Sequence, residues 1–245
     1  MGILNFALPS LISFYAVADI PQLVEQRLLT IMTDRYDTSH FLEDQDEPGS
    51  NGTVLRNMLG IIDPVEMGIA ETAALWRAQE TLISEIAADQ SFTAQDICDM
   101  HRQWLESIYP WAGMYRQVNI GKGGFQFAMA HTIPILMAEL ERNQLRRYTP
   151  CLFESSDDVA HALAEVHVEL MLIHPFREGN GRLGRLLATL MALQAGLPLL
   201  DFSELDGARR EEYFSAVRAG LDMDYQPMKR LFKDVIERSL KSSQE

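Results

Sequence analysis

The chain is short of cysteine, of positive charge and of long apolar runs, and each shortage excludes a class of protein. Only Cys98 and Cys151 occur among 245 residues. They lie far apart, without metal-ligand spacing, so neither a disulfide scaffold nor a cysteine-based zinc site is indicated. Both are expected as small buried apolar side chains in a reducing cytoplasm, that of the chain's own cell or of a host if it is delivered. Lys and Arg number 21 against 35 Asp and Glu, a formal net charge of −14. Such a surface repels phosphate backbones and argues against a nucleic-acid partner. The most apolar stretch is MGILNFALPSLISFYAVA at the start of the chain. Pro9 interrupts it, no Lys or Arg precedes Arg27, and it is short for a bilayer span. It is expected to dock on a core or a partner, a second copy of the chain included, rather than enter a membrane. Repeats and low-complexity tracts are absent as well.

What remains is a chain long enough for one sizeable core with an appendage. The clearest break is Asp44 to Gly52 (DQDEPGSNG), acidic and without an apolar residue. It divides an N-terminal extension with an acidic linker, 1–52, from the main domain, 53–245. Helical patterns dominate the latter. Asp63-Pro64 opens a helix to about Ala88, with proline in the first turn where its missing N–H costs nothing. Thr93 caps a second, bearing Ile97, Met100, Trp104, Leu105 and Ile108 on a helical period. Further helices are expected over 132–142, 155–173, 181–194, 204–220 and 227–240. Arg116 to Ile120 instead alternates polar and apolar, followed by Gly121-Lys122-Gly123-Gly124 and Phe125-Gln126-Phe127, which predicts a β-hairpin. The class is mainly α with one hairpin.

The run His174-Pro175-Phe176-Arg177-Glu178-Gly179-Asn180-Gly181-Arg182-Leu183-Gly184-Arg185 carries the chemistry. An apolar helix ends at His174, because proline disfavours helical geometry in the residue before it. Another starts near Gly181. The Gly-rich loop between them leads into a helix N-terminus, whose free amides and dipole suit an anion. Arg182 and Arg185, three apart, can reach the same anion. Glu178 fits a Mg²⁺ ligand beside bound phosphate, and His174 is a titratable base. Singly, each residue is commonplace; together they are the parts of phosphorus chemistry. His161 and His167 match no common zinc spacing and are read as packing or surface residues.

This run resembles the signature of the Fic (Fic/Doc) family of protein AMP-transferases, HPFx[D/E]GNGRxxR, at every fixed position. The resemblance extends over Thr53 to Asn57, Leu59-Gly60-Ile61, Trp111-Ala112-Gly113 with Tyr115-Arg116, Ile120 to Ala128, and Asp224 to Met228. It implies a Fic-type helical bundle with a β-hairpin flap over the active site. ATP would be the substrate with Mg²⁺, and the partner a protein with an exposed Tyr, Thr or Ser hydroxyl. The catalytic residues implied are His174 as base, Asn180 and Arg182. Gly179, Asn180 and Gly181 would form the anion hole, Arg182 and Arg185 would neutralise the outer phosphates, and Glu178 would hold the metal. Lys122, Gly123, Gly124 and Phe125 match the flap over the site, on whose edge an extended target would lie, and the resemblance assigns them to nucleotide binding; Lys122 could touch phosphate or reads equally as a solvent lysine. Tyr213 matches a residue near the adenine, or plain core packing. Alternative activities on the same fold are deAMPylation, transfer of phosphate or another nucleotide, and silent nucleotide binding.

Many relatives are restrained by a helix bearing [S/T]xxxE[G/N], whose glutamate pairs with the second signature arginine, here Arg185. Ser39 to Glu43 has the spacing but is followed by Asp44. Thr81 to Glu85 is followed by Ile86, and Ser239 meets Ser243 four residues on. This leaves two arrangements. Inhibition comes from a separate antitoxin chain or is absent, or Ser39 and Glu43 form a degenerate N-terminal brake.

Overall fold

The computed structural model describes residue 38 and residues 40–243. The apolar N-terminal segment expected to dock, and Ser39 of the expected brake, lie outside the described residues. Backbone contacts divide the chain after Thr38, and the second unit carries the described helices and strands.

Helix α1, Pro64–Glu85, starts where Asp63 accepts the amides of Val65 and Glu66 at 3.0 and 2.9 Å. Helix α2, Ala94–Leu105, starts at a reciprocal cap: Thr93 Oγ1 accepts the Asp96 amide and Asp96 accepts the Thr93 amide. Each cap satisfies donors that helix geometry leaves unpaired. Helix α3 is Ile133–Leu140. It passes through a wide π-type turn, Glu141–Leu145, into Arg146–Tyr148, beyond the single helix to about 142 that the pattern predicts. Helix α4, Ser156–Ile173, is the centre of the bundle. Ala160, Ala162, Leu163, Ala164 and Val168 on it are wholly buried, and the polar Glu165 and His167 are buried with them. Its main neighbours are α5, Asn180–Gln194, and α7, Gln226–Ser242.

The helix expected over 204–220 is broken. Ser203–Asp206 forms one turn and α6 runs over Arg210–Ala219, because Gly207 takes φ −108°, ψ −112°, outside helical geometry. The acidic run also behaves differently from a spacer. Asp46 bridges to Leu55, the Glu47 amide donates to Val54, and the Asn57 amide donates to the Glu47 carboxylate at 3.0 Å. Glu43 and Ser50 are buried. The compact unit therefore takes in this turn, ahead of the boundary expected at residue 53.

The hairpin is present but shifted along the chain. Strand β1, Gly121–Lys122, pairs antiparallel with β2, Phe125–Gln126. Gly123 and Gly124 join them with φ of +58° and +78°, the positive pair that a type I′ turn needs and glycine adopts without strain. Arg116 to Val118 stay outside the ladder because their amides are taken elsewhere. Arg116 donates to Pro175, and Gln117 and Val118 both donate to Glu43 Oε1, at 2.6 and 3.1 Å.

Candidate active site

The α4–α5 loop is built by buried side chains that grip its backbone. Phe176 is wholly buried, a burial that stabilises by about 1.5–3 kcal/mol. It stacks on His101, ring centroids 3.9 Å apart. His101 Nδ1 accepts the Gly113 amide at 2.8 Å, so Nε2 carries the proton and donates to the Glu178 carbonyl at 3.1 Å. Burial holds that imidazole near a pKa of about 4, hence neutral, as this two-sided arrangement requires. Asn180 closes the loop: its Oδ1 accepts the Phe176 amide at 2.9 Å and its Nδ2 donates to the Phe176 carbonyl at 2.8 Å. Both ends of this side chain are thus spent on the loop. Gly179 takes φ +87°, and a Cβ there would stand 2.7 Å from the Trp104 ring, so the turn into α5 admits glycine alone. The amides of Asn180, Gly181 and Arg182, which open α5, meet no protein acceptor among the described residues and point their partial positive charge at the cleft.

His174 ends α4 in left-handed conformation, φ +51°. Its Nδ1 lies 3.1 Å from the Met171 carbonyl, which can only accept, so Nδ1 carries the proton and Nε2 keeps the lone pair. The ring stacks flat on Phe127, centroids 3.7 Å apart. Burial, helped by the Arg116 and Lys122 charges, lowers its pKa to about 4. Arg116 underpins this corner. Only 1% exposed, it donates to the carbonyls of His174 (2.7 Å), Ile173, Val118 and Ala128, tying the end of α4 to both stems of the flap.

A cleft of about 890 Å³ lies before these groups, within the range of small-molecule sites. Lys122, Gly123, Phe125, His174, Glu178, Gly179, Asn180, Gly181, Arg182, Arg185 and Tyr213 all line it, with Arg177, Arg210, Phe214 and Arg218 besides. Of the residues singled out by sequence, Gly124 is outside the lining. Glu178 Oε1 accepts the Gly179 amide at 2.9 Å and lies 3.4 Å from Arg182; its side chain is 44% exposed. Arg182 is braced from behind: its guanidinium donates to Glu71 Oε2 at 2.7 Å and lies 4.7 Å from the Trp104 ring centroid. Glu71 also accepts from Tyr109 Oη at 2.7 Å. Arg185 lies 5.9 Å from the ring centroids of both Tyr213 and Phe202. Tyr213 Oη sits 2.8 Å from His167 Nε2, so it is core and cleft wall at once. His161 is elsewhere, against Tyr148 and Glu165.

Glu71, His101 and the grip of Arg116 are absent from the sequence-based site. The first two leave a signal. Glu71 falls on the buried stripe Met67, Ala74, Ala78, and His101 on the stripe Ile97, Trp104, Leu105; a charged or titratable residue among core positions needs a partner. Glu43, the other brake candidate, faces the Gln117 and Val118 amides and so serves the base of the flap rather than Arg185.

A helical bundle that presents a neutral imidazole, a helix N-terminus and two arginines to one cleft under a hairpin defines the Fic type of fold. Comparison with known proteins agrees. The sequence profile described as Fic/DOC family matches residues 91–192. A probable protein adenylyltransferase of Sinorhizobium fredii is 33% identical over 168 residues, spanning 66% of this chain and 81% of the relative. Protein adenylyltransferase Fic of Nematostella vectensis is 29% identical over 171 residues, 68% of this chain; the chain spans 37% of that relative's length. Among solved structures, the VirB-translocated effector BepC of Bartonella tribocorum, with bound AMPPNP, superposes with a TM-score of 0.64 at 24% identity, over 80% of this chain and 97% of that one. The Fic domain of an effector from Bartonella sp. AR 15-3 gives 0.67 at 21% identity, over 82% and 94%. Both share the fold. The chain belongs to the Fic/DOC family.

Proposed function

We propose that this chain transfers AMP from ATP to a hydroxyl side chain of another protein. The observation that carries the reading is the tautomer of His174, which leaves the lone pair on Nε2 of a side chain that lines the same cleft as the unpaired amides of α5. The target hydroxyl would give its proton to Nε2 as its oxygen bonds to the α-phosphorus. The bond from that phosphorus to the oxygen leading to the β-phosphate breaks, and pyrophosphate leaves with the electron pair. Amides of Asn180, Gly181 and Arg182 stabilise phosphate charge without reorganising. Arg182, braced by Glu71, and Arg185 receive the outer phosphates. Asn180 acts through the loop it closes. General-base help contributes about 10²–10⁴-fold, and the rest is positioning.

The described residues hold no cluster of three or more His, Cys, Asp or Glu fit for a metal. A magnesium ion bound mainly through substrate phosphates needs only one or two carboxylates. Glu178 fits, with one oxygen steadied by the Gly179 amide and its side chain open to the cleft; the ion would neutralise charge between adjacent phosphates.

With Glu43 engaged under the flap, the reading carries control as coming from a separate inhibitory chain, or as absent. No helix among the described residues is long and apolar enough to cross a membrane. A cytoplasmic site of action, in the chain's own cell or a host's, belongs to the same proposal. Incubation with Mg²⁺ and α- or γ-labelled ATP tests it. Protein labelled from the α position alone is expected. Label from the γ position would assign phosphate transfer, and label from neither would assign silent nucleotide binding or an inhibited state.

A further inference from the structure

The cleft inverts the charge of the protein around it. The chain has 35 acidic and 21 basic side chains, yet six cations line the cleft, Lys122, Arg177, Arg182, Arg185, Arg210 and Arg218, against the carboxylates Glu178 and Glu211. The nucleotide chemistry proposed above occupies Arg182 and Arg185, and Arg177 faces Asp44 at 3.6 Å. Three cations are left over. Lys122, Arg210 and Arg218 are exposed, and none has a carboxylate partner among the described residues. This is not a property of their neighbourhood, because Arg209, next to Arg210, is held by Glu212 and Asp234 at 2.7 Å each.

The three stand on the two sides of the mouth. Lys122 is on the flap, paired with Phe125 beside the turn; Arg210 and Arg218 are on α6. Phe214 of α6 joins the sides, with Lys122 Nζ 6.0 Å and Arg210 Cζ 5.5 Å from its ring centroid. His174 lines the same cleft as both sides, so a segment that brings a hydroxyl to it through this mouth meets the three cations. We propose that this mouth selects an acidic target segment, in which the modified residue is flanked by Asp or Glu that meet Lys122, Arg210 and Arg218. The proposal rests on the AMP-transfer reading and names the substrate class of that site. Nucleic acid would offer the same charge, but the net −14 of the chain opposes a long phosphate backbone. A short acidic segment feels mainly the local cations, since exposed charges beyond about 8 Å are screened in physiological salt.

The test uses the full chain with Mg²⁺ and AMPPNP, and two fluorescein-labelled peptides read by anisotropy. One carries a tyrosine flanked on both sides by glutamates, the other the same tyrosine flanked by glutamines. The glutamate peptide is expected to bind about tenfold tighter. The advantage should shrink with added salt and nearly vanish in the Arg210→Ser, Arg218→Ser double variant, whose affinity for ATP should stay at the wild-type level. Equal binding of the two peptides, binding of neither, or a glutamate preference that survives in the double variant would overturn the proposal. So would a double variant that only needs more ATP, since the arginines would then serve the nucleotide. Self-labelling of the wild type reads the AMP-transfer step separately: its failure would count against that reading, whatever the peptides do.

Discussion

Replacing Glu71 by Gln tests how the cleft holds its first arginine. The carboxylate is buried, its side chain 8% exposed, and it joins the Arg182 guanidinium at 2.7 Å to the Tyr109 hydroxyl at 2.7 Å. Burial, Glu71 hydrogen bonding and its charge keep the Tyr109 phenol protonated and donating. Glutamine fills the same volume. If its Oε1 keeps the Tyr109 bond, its NH₂ faces Arg182, donor against donor, and the pair is broken rather than weakened. A charge-assisted hydrogen bond to a buried group contributes about 1.5–3 kcal/mol. Arg182 is itself 31% exposed, so solvent offsets part of the loss, and about 2 kcal/mol is expected. For a domain of this size the melting temperature should fall by about 4–8 °C. Arg182 freed of its brace leaves the phosphate position, and a misplacement of about 1 Å costs about 10²-fold in rate. Melting by calorimetry and transfer of α-label, with ATP saturating, give the two numbers. A variant with the wild-type melting temperature and rate would refute the bracing. A faster variant would show that Glu71 holds Arg182 away from the phosphate.

Three histidines make a second prediction. Burial lowers His101, His167 and His174 to a pKa of about 4, against about 6.5 in an unfolded chain. The unfolded state therefore binds more protons between those values. Their stabilisation is complete above about pH 6.5 and is lost as the pH falls toward 4, on the order of 3 kcal/mol each. Denaturant midpoints that stay level between pH 7 and 4 would contradict it. Glu43→Ala should leave the Gln117 and Val118 amides without their acceptor, cost about 1–3 kcal/mol and lower α-label transfer by shifting the base of the flap; a faster rate would restore the brake. Gly179→Ala should abolish transfer and lower the melting temperature, because the added methyl meets Trp104 at 2.7 Å under a positive φ; wild-type transfer from this variant would refute the placement of the turn.

Much of this site was legible because its parts are local in sequence. The apolar run before Pro175, the Gly-Asn-Gly turn and the paired arginines lie within one segment, so spacing alone assembles them. The caps at Asp63 and Thr93 were legible for the same reason. What escaped is what crosses the fold. Glu71 reaches Arg182 over 111 residues and Glu43 reaches Gln117 over 74, and no periodicity links such positions. The strand expected at Arg116 to Ile120 failed on the same account, its alternation being real but its amides taken by Glu43 and Pro175. The long helix over 204–220 failed because one glycine outweighed the pattern around it.

The account turns on His174, which lines the cleft with one nitrogen tied to Met171 and the lone pair left on the other. Single-turnover transfer from α-labelled ATP by His174→Ala, beside a direct measurement of its ATP affinity, tests that most closely. ATP should bind as it does to the wild type while transfer falls by about 10²–10⁴-fold. Transfer at the wild-type rate, with binding intact, would take the base out of the mechanism.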